Sequence, residues 1–166
     1  MAVSGRDHTL FLADEAATEA LGRALATAVR RSGKGATVFL RGNLGMGKTT
    51  LSRGVMRGMG HEGAVKSPTY TIVEPYEHLR PEVYHFDLYR LGDPEELEYL
   101  GIRDYFGGSS LCLIEWAERG DGILPVPDVQ ITIEPEVDGR RASLRSLTPT
   151  GNALLECLQA SRLAGF

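Results

Sequence analysis

Gly42-Asn43-Leu44-Gly45-Met46-Gly47-Lys48-Thr49-Thr50 is the stretch from which the rest of the chain is read. It carries the phosphate-loop pattern Gly-x-x-x-x-Gly-Lys-Ser/Thr in full, with Gly42, Gly47, Lys48 and Thr49 at the required positions. Glycines let the backbone curl so that successive N–H groups point into one concavity, where they hydrogen-bond phosphate oxygens. The helix expected to follow adds its positive end to the same spot. In such a loop Lys48 reaches the β- and γ-phosphates, and the Thr49 hydroxyl takes one position on a magnesium ion. The flanks agree. Thr37-Val38-Phe39-Leu40 reads as a buried strand, Leu51, Val55, Met56 and Met59 recur at roughly helical spacing, and Gly60 stops the run. Strand, glycine loop and helix in this order predict a nucleotide-binding protein.

The chain of 166 residues has room for one domain, 1–166, with a proper core. A net charge of −4 argues against broad non-specific affinity for nucleic acid, so any direct contact with nucleic acid is expected to be weak. Cys112 and Cys157 fall in apolar stretches and read as buried free thiols, which fits a reducing compartment. Met1 to Asp7 lack the layout of a signal peptide, and no apolar run is long enough to span a membrane. The expected location is the cytoplasm.

Outward from the loop, Thr9 to Leu12 suggest a first strand and Asp14 a helix N-cap. Ala17, Ala20, Leu21, Ala24, Leu25 and Ala28 follow at helical spacing, and Gly33 closes the helix. Downstream, Ser67-Pro68-Thr69-Tyr70-Thr71-Ile72-Val73 alternates as a strand does. The hydroxyls of Ser67, Thr69 and Thr71 suit a loop sensing the γ-phosphate, and equally suit an ordinary strand. Asp93-Pro94-Glu95-Glu96 announces a helix running to Leu100, with Asp93 as N-cap and Gly101 as the stop. Asp104-Tyr105-Phe106-Gly107 matches a GTPase element in letters only and reads as a turn. Val129, Ile131 and Ile133, the turn Asp138-Gly139, and a return through Ala142 and Leu144 make a hairpin. Leu154, Leu155 and Leu158 mark a terminal helix. Together these predict a three-layer α/β fold of the P-loop type, with a mainly parallel central sheet and an antiparallel C-terminal hairpin.

Two strands carry acids where acids are costly. Val83 to Tyr89 alternates Tyr84, Phe86 and Leu88 on one face with His85, Asp87 and Tyr89 on the other. Burying Asp87 in so apolar a run requires a partner or a nearby cation, and a magnesium-bound triphosphate supplies one. The other reading is an edge strand with Asp87 in water. His85 reads as structural, since no second histidine lies at ligand spacing. Leu111-Cys112-Leu113-Ile114-Glu115 is a continuous apolar strand ending in a carboxylate, the layout that places an acid beside phosphate-loop magnesium. Glu115 then has three roles open to it: binding the metal, holding a metal-bound water, or orienting the attacking water. Trp116 follows, either packing over a nucleotide or partner, or plugging the sheet's edge.

In order, GNLGMGKTT, KSPTYTIVEPY, VYHFDLYRLGDPEELEYLGIRDYF and CLIEW resemble the TsaE (YjeE) family of bacterial P-loop ATPases. The resemblance runs from about Gly42 to the hairpin, and the HFDLYRL and SPTY segments are far more specific than the phosphate loop. It implies slow hydrolysis of ATP to ADP with Mg2+, within the machinery that installs threonylcarbamoyladenosine in tRNA. It implies TsaB and TsaD as protein partners, which carry out the transfer while nucleotide turnover resets their assembly. Carried over by motif, the catalytic residues are Lys48, Asp87 and Glu115. Asn43, Leu44, Gly45, Met46, Gly47, Lys48, Thr49 and Thr50 hold the phosphates, and Thr49 and Glu115 hold the metal. Trp116 and the Ser67-Pro68-Thr69 loop become nucleotide-responsive or partner-facing. Asn43 and Met46 depart from the family's usual loop, and Ala117 stands where proline is common. No motif maps to the adenine, for which the start of the first helix near Asp14 is the candidate. The alternative reading is a small-molecule or nucleotide kinase using the same loop. A kinase calls for a lid or an arginine cluster, whereas Arg80, Arg90 and Arg103 are scattered.

Overall fold

The computed structural model describes residues 7–43 and 45–163, so the role expected of Leu44 lies outside the described residues. Seven strands form one sheet in the order β1-β7-β6-β2-β5-β4-β3. They are β1 Asp7–Leu12, β2 Ala36–Arg41, β3 Val73–Tyr76, β4 Val83–Asp87, β5 Leu111–Glu115, β6 Val129–Glu136 and β7 Gly139–Ser146. The four central strands β6, β2, β5 and β4 run parallel, while β7, β1 and β3 add antiparallel margins. The helices are α1 Glu15–Ser32, α2 Lys48–Gly58, α3 Glu95–Tyr99 and α4 Pro149–Leu163. Leu21 and Leu25 of α1, Val55 and Met56 of α2, and Leu154 and Leu158 of α4 share one core with Leu40, Leu113 and Ile131 of the sheet. On the opposite face Phe86, Ile114 and Cys112 pack with Leu97 of α3 and Ile102 of a 3-10 turn. Burial on both faces is why β5 reads as an unbroken apolar run.

Local chemistry sets the ends of α1. Asp14 is extended and its Oδ1 accepts the Ala17 N–H at 2.8 Å, while Gly33 takes the left-handed conformation (φ 67°) and donates to the Val29 carbonyl. Helix α1 lies directly against α2, and glycines make that approach possible. A Cβ on Gly22 would fall 2.3 Å from the Leu51 carbonyl oxygen, and one on Gly54 would fall 2.2 Å from that of Glu19. The phosphate-loop helix is therefore seated backbone to backbone on its neighbour.

The structure corrects the sequence reading in three places. The alternation from Ser67 to Val73 is a turn rather than a strand: Ile72 N–H donates to the Pro68 carbonyl at 2.7 Å and Ile72 sits at φ 70°, so pairing begins only at Val73. Strand β4 stops at Asp87, which leaves Tyr89 beyond the pleat. Helix α3 is limited to Glu95–Tyr99, although Asp93 Oδ1 does accept the Glu95 N–H and Gly101 (φ 68°) ends the segment as expected. Among the described residues no helix is long and apolar enough to cross a membrane.

Candidate active site

The site follows from register. Strands β2, β5 and β4 are parallel neighbours, with Leu40 opposite Glu115 and Glu115 opposite Asp87. The phosphate loop therefore leaves β2 at the same sheet edge where Glu115 ends β5 and Asp87 ends β4. A cleft of about 490 Å³ opens there. It is lined by Gly45 to Thr50, Ser67, Thr69, Asp87, Glu115 and Trp116, and also by Leu12 to Glu15, Thr18, Gly139 and Arg140. Ligands of parallel α/β sheets bind beyond the carboxyl ends of the strands, and this cleft is in that position.

Gly47 caps α2 in the left-handed region (φ 106°) and offers no side chain to the helix's first amides. Those donors and the helix's positive end are left for an anion. Met46 differs: its N–H is engaged with the Asn43 carbonyl at 3.2 Å, and its half-buried side chain packs against the core. Both threonines line the cleft, but Thr50 is buried and its hydroxyl donates to Glu15 Oε1, whereas Thr49 is exposed.

Lys48 is only 6% exposed, and its Nζ lies 4.1 Å from the centroid of the Trp116 ring. Among the described residues no hydrogen bond satisfies that ammonium. Burial lowers its pKa from the ordinary 10.5, opposed by the negative charges of Glu115, Asp87 and Glu118. A desolvated ammonium held over an aromatic face beside free helix amides fits a bound phosphate. No group of three or more His, Cys, Asp or Glu side chains among the described residues is placed to hold a metal unaided. The donor set suits magnesium, which takes one or two protein ligands and completes its shell with phosphate oxygens and water.

The acids are both buried, Asp87 at 6% and Glu115 at 5% exposure, so the reading of Asp87 as a solvated edge residue falls away. Asp87 Oδ1 accepts the Tyr89 N–H at 2.9 Å and Oδ2 accepts the Thr69 hydroxyl at 3.3 Å. Ser67 joins the chain through a 2.7 Å contact with Thr69. The Ser67-Pro68-Thr69 turn is thereby tied to the cleft, while Thr71 turns away to bond Glu74. Glu115 Oε2 accepts from His85 Nε2 at 2.7 Å. Trp116 adopts a left-handed backbone (φ 58°) immediately after Glu115. That turn sets its ring against Tyr89, tilted by 55° with centroids 4.9 Å apart, as well as against Lys48.

Lys48, Thr49, Asp87, Glu115 and Trp116 thus converge, and Asp14, near the expected adenine contact, also lines the cleft. Sequence reasoning missed Thr18 and Arg140, for which no local signal exists, and the partnership of His85 with Glu115. The last was legible in part: His85 shares the Asp87 face of β4 by its period of two.

Fold and loop define the molecule as a P-loop protein of the α/β class. A family model described as threonylcarbamoyl adenosine biosynthesis protein TsaE matches residues 12–143. The tRNA threonylcarbamoyladenosine biosynthesis protein TsaE of Haemophilus influenzae is 54% identical over 122 residues, covering 74% of this chain and 77% of the relative. The protein of the same name from Bacillus subtilis is 39% identical over 129 residues, covering 77% and 79%. A crystal structure of Bacillus subtilis YdiB superposes with a TM-score of 0.80 at 27% identity, covering 97% of this chain and 99% of that one. The chain belongs to the TsaE family.

Proposed function

We propose that this chain is a magnesium-dependent ATPase, one domain in the cytoplasm, serving the biosynthesis of threonylcarbamoyladenosine in tRNA. Family membership supports the pathway. The observation that carries the chemistry is the convergence of a desolvated Lys48 with two buried carboxylates at the mouth of the phosphate loop. Simple nucleotide binding does not need both acids.

Lys48 and the free amides of the loop hold the phosphates of ATP. Thr49 and Glu115 would hold Mg2+, which would neutralise charge on the transferring phosphoryl group. Asp87, fixed by the Tyr89 N–H and the Thr69 hydroxyl, orients the attacking water. Water attacks the γ-phosphorus, the bond to the bridging oxygen breaks, and ADP and inorganic phosphate leave. The Ser67–Thr69–Asp87 hydrogen-bond chain gives the Ser67-Pro68-Thr69 turn a means of responding to the γ-phosphate. Turnover resets a TsaB–TsaD assembly between rounds of transfer. The kinase reading gains no support, since Arg140 is the one arginine among the described residues lining the cleft.

The test is phosphate release from ATP by the purified chain, alone and with a TsaB–TsaD pair. Slow release that rises with the partners is the expected result. Transfer of the γ-phosphate from labelled ATP to another acceptor, with no response to the partners, would refute it.

A further inference from the structure

We infer that His85 is a positioning residue that locks the Glu115 carboxylate into its working orientation. The inference rests on the catalytic reading of Glu115 above and goes beyond it by naming what holds that side chain. His85 is 1% exposed, in the middle of β4, on the face it shares with Asp87. Its Nε2 lies 2.7 Å from Glu115 Oε2 and 3.4 Å from the hydroxyl of Ser52, which is wholly buried in α2. Its Nδ1 is buried and has no hydrogen-bond partner among the described residues.

Of the two neutral forms of the ring, these facts select one. If the ring hydrogen were on Nδ1, a lone pair on Nε2 would face the carboxylate at 2.7 Å, and a buried N–H would have no acceptor. With the hydrogen on Nε2, the ring donates to Glu115 Oε2, and only a lone pair is left without a partner. A buried orphan atom is unusual in a native interior, and the hydrogen bonds of this ring are made by Nε2. With Oε2 held from inside the sheet, Oε1 is the oxygen left for the cleft that Glu115 lines.

The need for such a lock follows from the residue type. Glutamate has one more rotatable bond than the aspartate usual at the end of this strand, so an unheld carboxylate would sample several positions. A bond to one oxygen removes that freedom before any ligand arrives. Orienting partners of this kind are worth about 10- to 100-fold in metal affinity or activity. Ser52 lies one turn into the phosphate-loop helix, so the same ring also spans from α2 to β5.

Two measurements on the full-length chain test this. In the 15N-labelled, nucleotide-free protein, His85 should show its hydrogen on Nε2, shifted downfield and slow to exchange, and Glu115→Ala should abolish that signature. In steady-state turnover of ATP, His85→Phe should lower kcat about 10- to 100-fold with ATP affinity within about threefold. His85→Gln, whose amide nitrogen can take the place of Nε2, should restore most of the rate. On a Glu115→Ala background, His85→Phe should change the rate less than about twofold, because the group it positions is gone. A hydrogen on Nδ1, a wild-type rate for His85→Phe, a Gln variant no better than Phe, or multiplicative losses in the double variant would each overturn the inference. Where His85→Phe does not fold, His85→Leu and the wild-type spectrum carry the test. If Glu115→Ala itself turns over ATP like wild type, it is the assignment of Glu115 that fails, a result distinct from any of these.

Discussion

Gly54→Ala tests how the fold seats the phosphate loop. Gly54 lies inside α2 with ordinary helical backbone, so alanine gains about 1 kcal/mol of helix propensity there. Its Cβ, however, would stand 2.2 Å from the carbonyl oxygen of Glu19 and 2.9 Å from its carbonyl carbon, where real Cβ atoms essentially never come within 3.0 Å. The obstacle is the backbone of α1, which no rotamer change can move aside. Helix α2 must therefore retreat by about 0.8 Å or more, loosening Leu51 and Val55 from Leu21 and Leu25. Overpacking of this kind costs about 1–3 kcal/mol, and a rigid neighbour puts this case at the upper end. After the propensity gain, a net loss of roughly 1–2 kcal/mol remains, a fall in Tm of about 2–8 °C for a chain of this size. Because α2 begins at Lys48, the same retreat displaces Lys48 and Thr49, and displacements near 1 Å cost up to about 100-fold in catalysis. Thermal denaturation and a nucleotide titration read both effects. Gly108→Ala is the control: among the described residues nothing beyond its chain neighbours lies within 4 Å of the added Cβ, so its stability should stay within about 0.5 kcal/mol of wild type. A Gly54→Ala protein as stable as wild type, with unchanged nucleotide affinity, would refute the reasoning.

Lys48→Ala should weaken ATP binding, whereas Glu115→Ala should depress magnesium-dependent turnover more than affinity; equal effects on both quantities in the two variants would contradict the assignments. Asp87→Asn keeps an oxygen for the Tyr89 N–H and should melt close to wild type while losing about 100-fold or more in turnover, so an unfolded variant would point to a structural role instead. Burial pushes the Cys112 thiol up to about 12, so a thiol reagent near pH 8 should modify half-buried Cys157 first and reach Cys112 only on unfolding. The sign of that shift sets a further expectation. Below pH 9.0 the thiol is protonated in folded and unfolded chains alike. Between 9.0 and about 12 only the unfolded chain loses the proton, so stability should fall with rising pH, and Cys112→Ala should flatten that slope in denaturant titrations.

The phosphate loop, the ends of α1 and the apolar strands are legible in the sequence, because each is written in neighbouring residues. Gly47 needs a left-handed backbone, Asp14 reaches an amide three residues on, and Leu111 to Ile114 are apolar because both faces of β5 are covered. The sequence also placed carboxylates at Asp87 and Glu115, where an apolar run with an acid demands an explanation. Tertiary structure alone decided that those acids meet the loop. Asp87 and Glu115 are 28 residues apart in the chain and become neighbours only through the parallel register of β4 and β5, which no local pattern encodes. The turn over Pro68 to Ile72 was hidden for a related reason: its residues favour strands, and a main-chain bond from Ile72 to Pro68 overrode that preference. The grip of His85 on Glu115 likewise depends on a side chain from one strand filling the space behind the end of the next, a contact that packing creates and spacing cannot show.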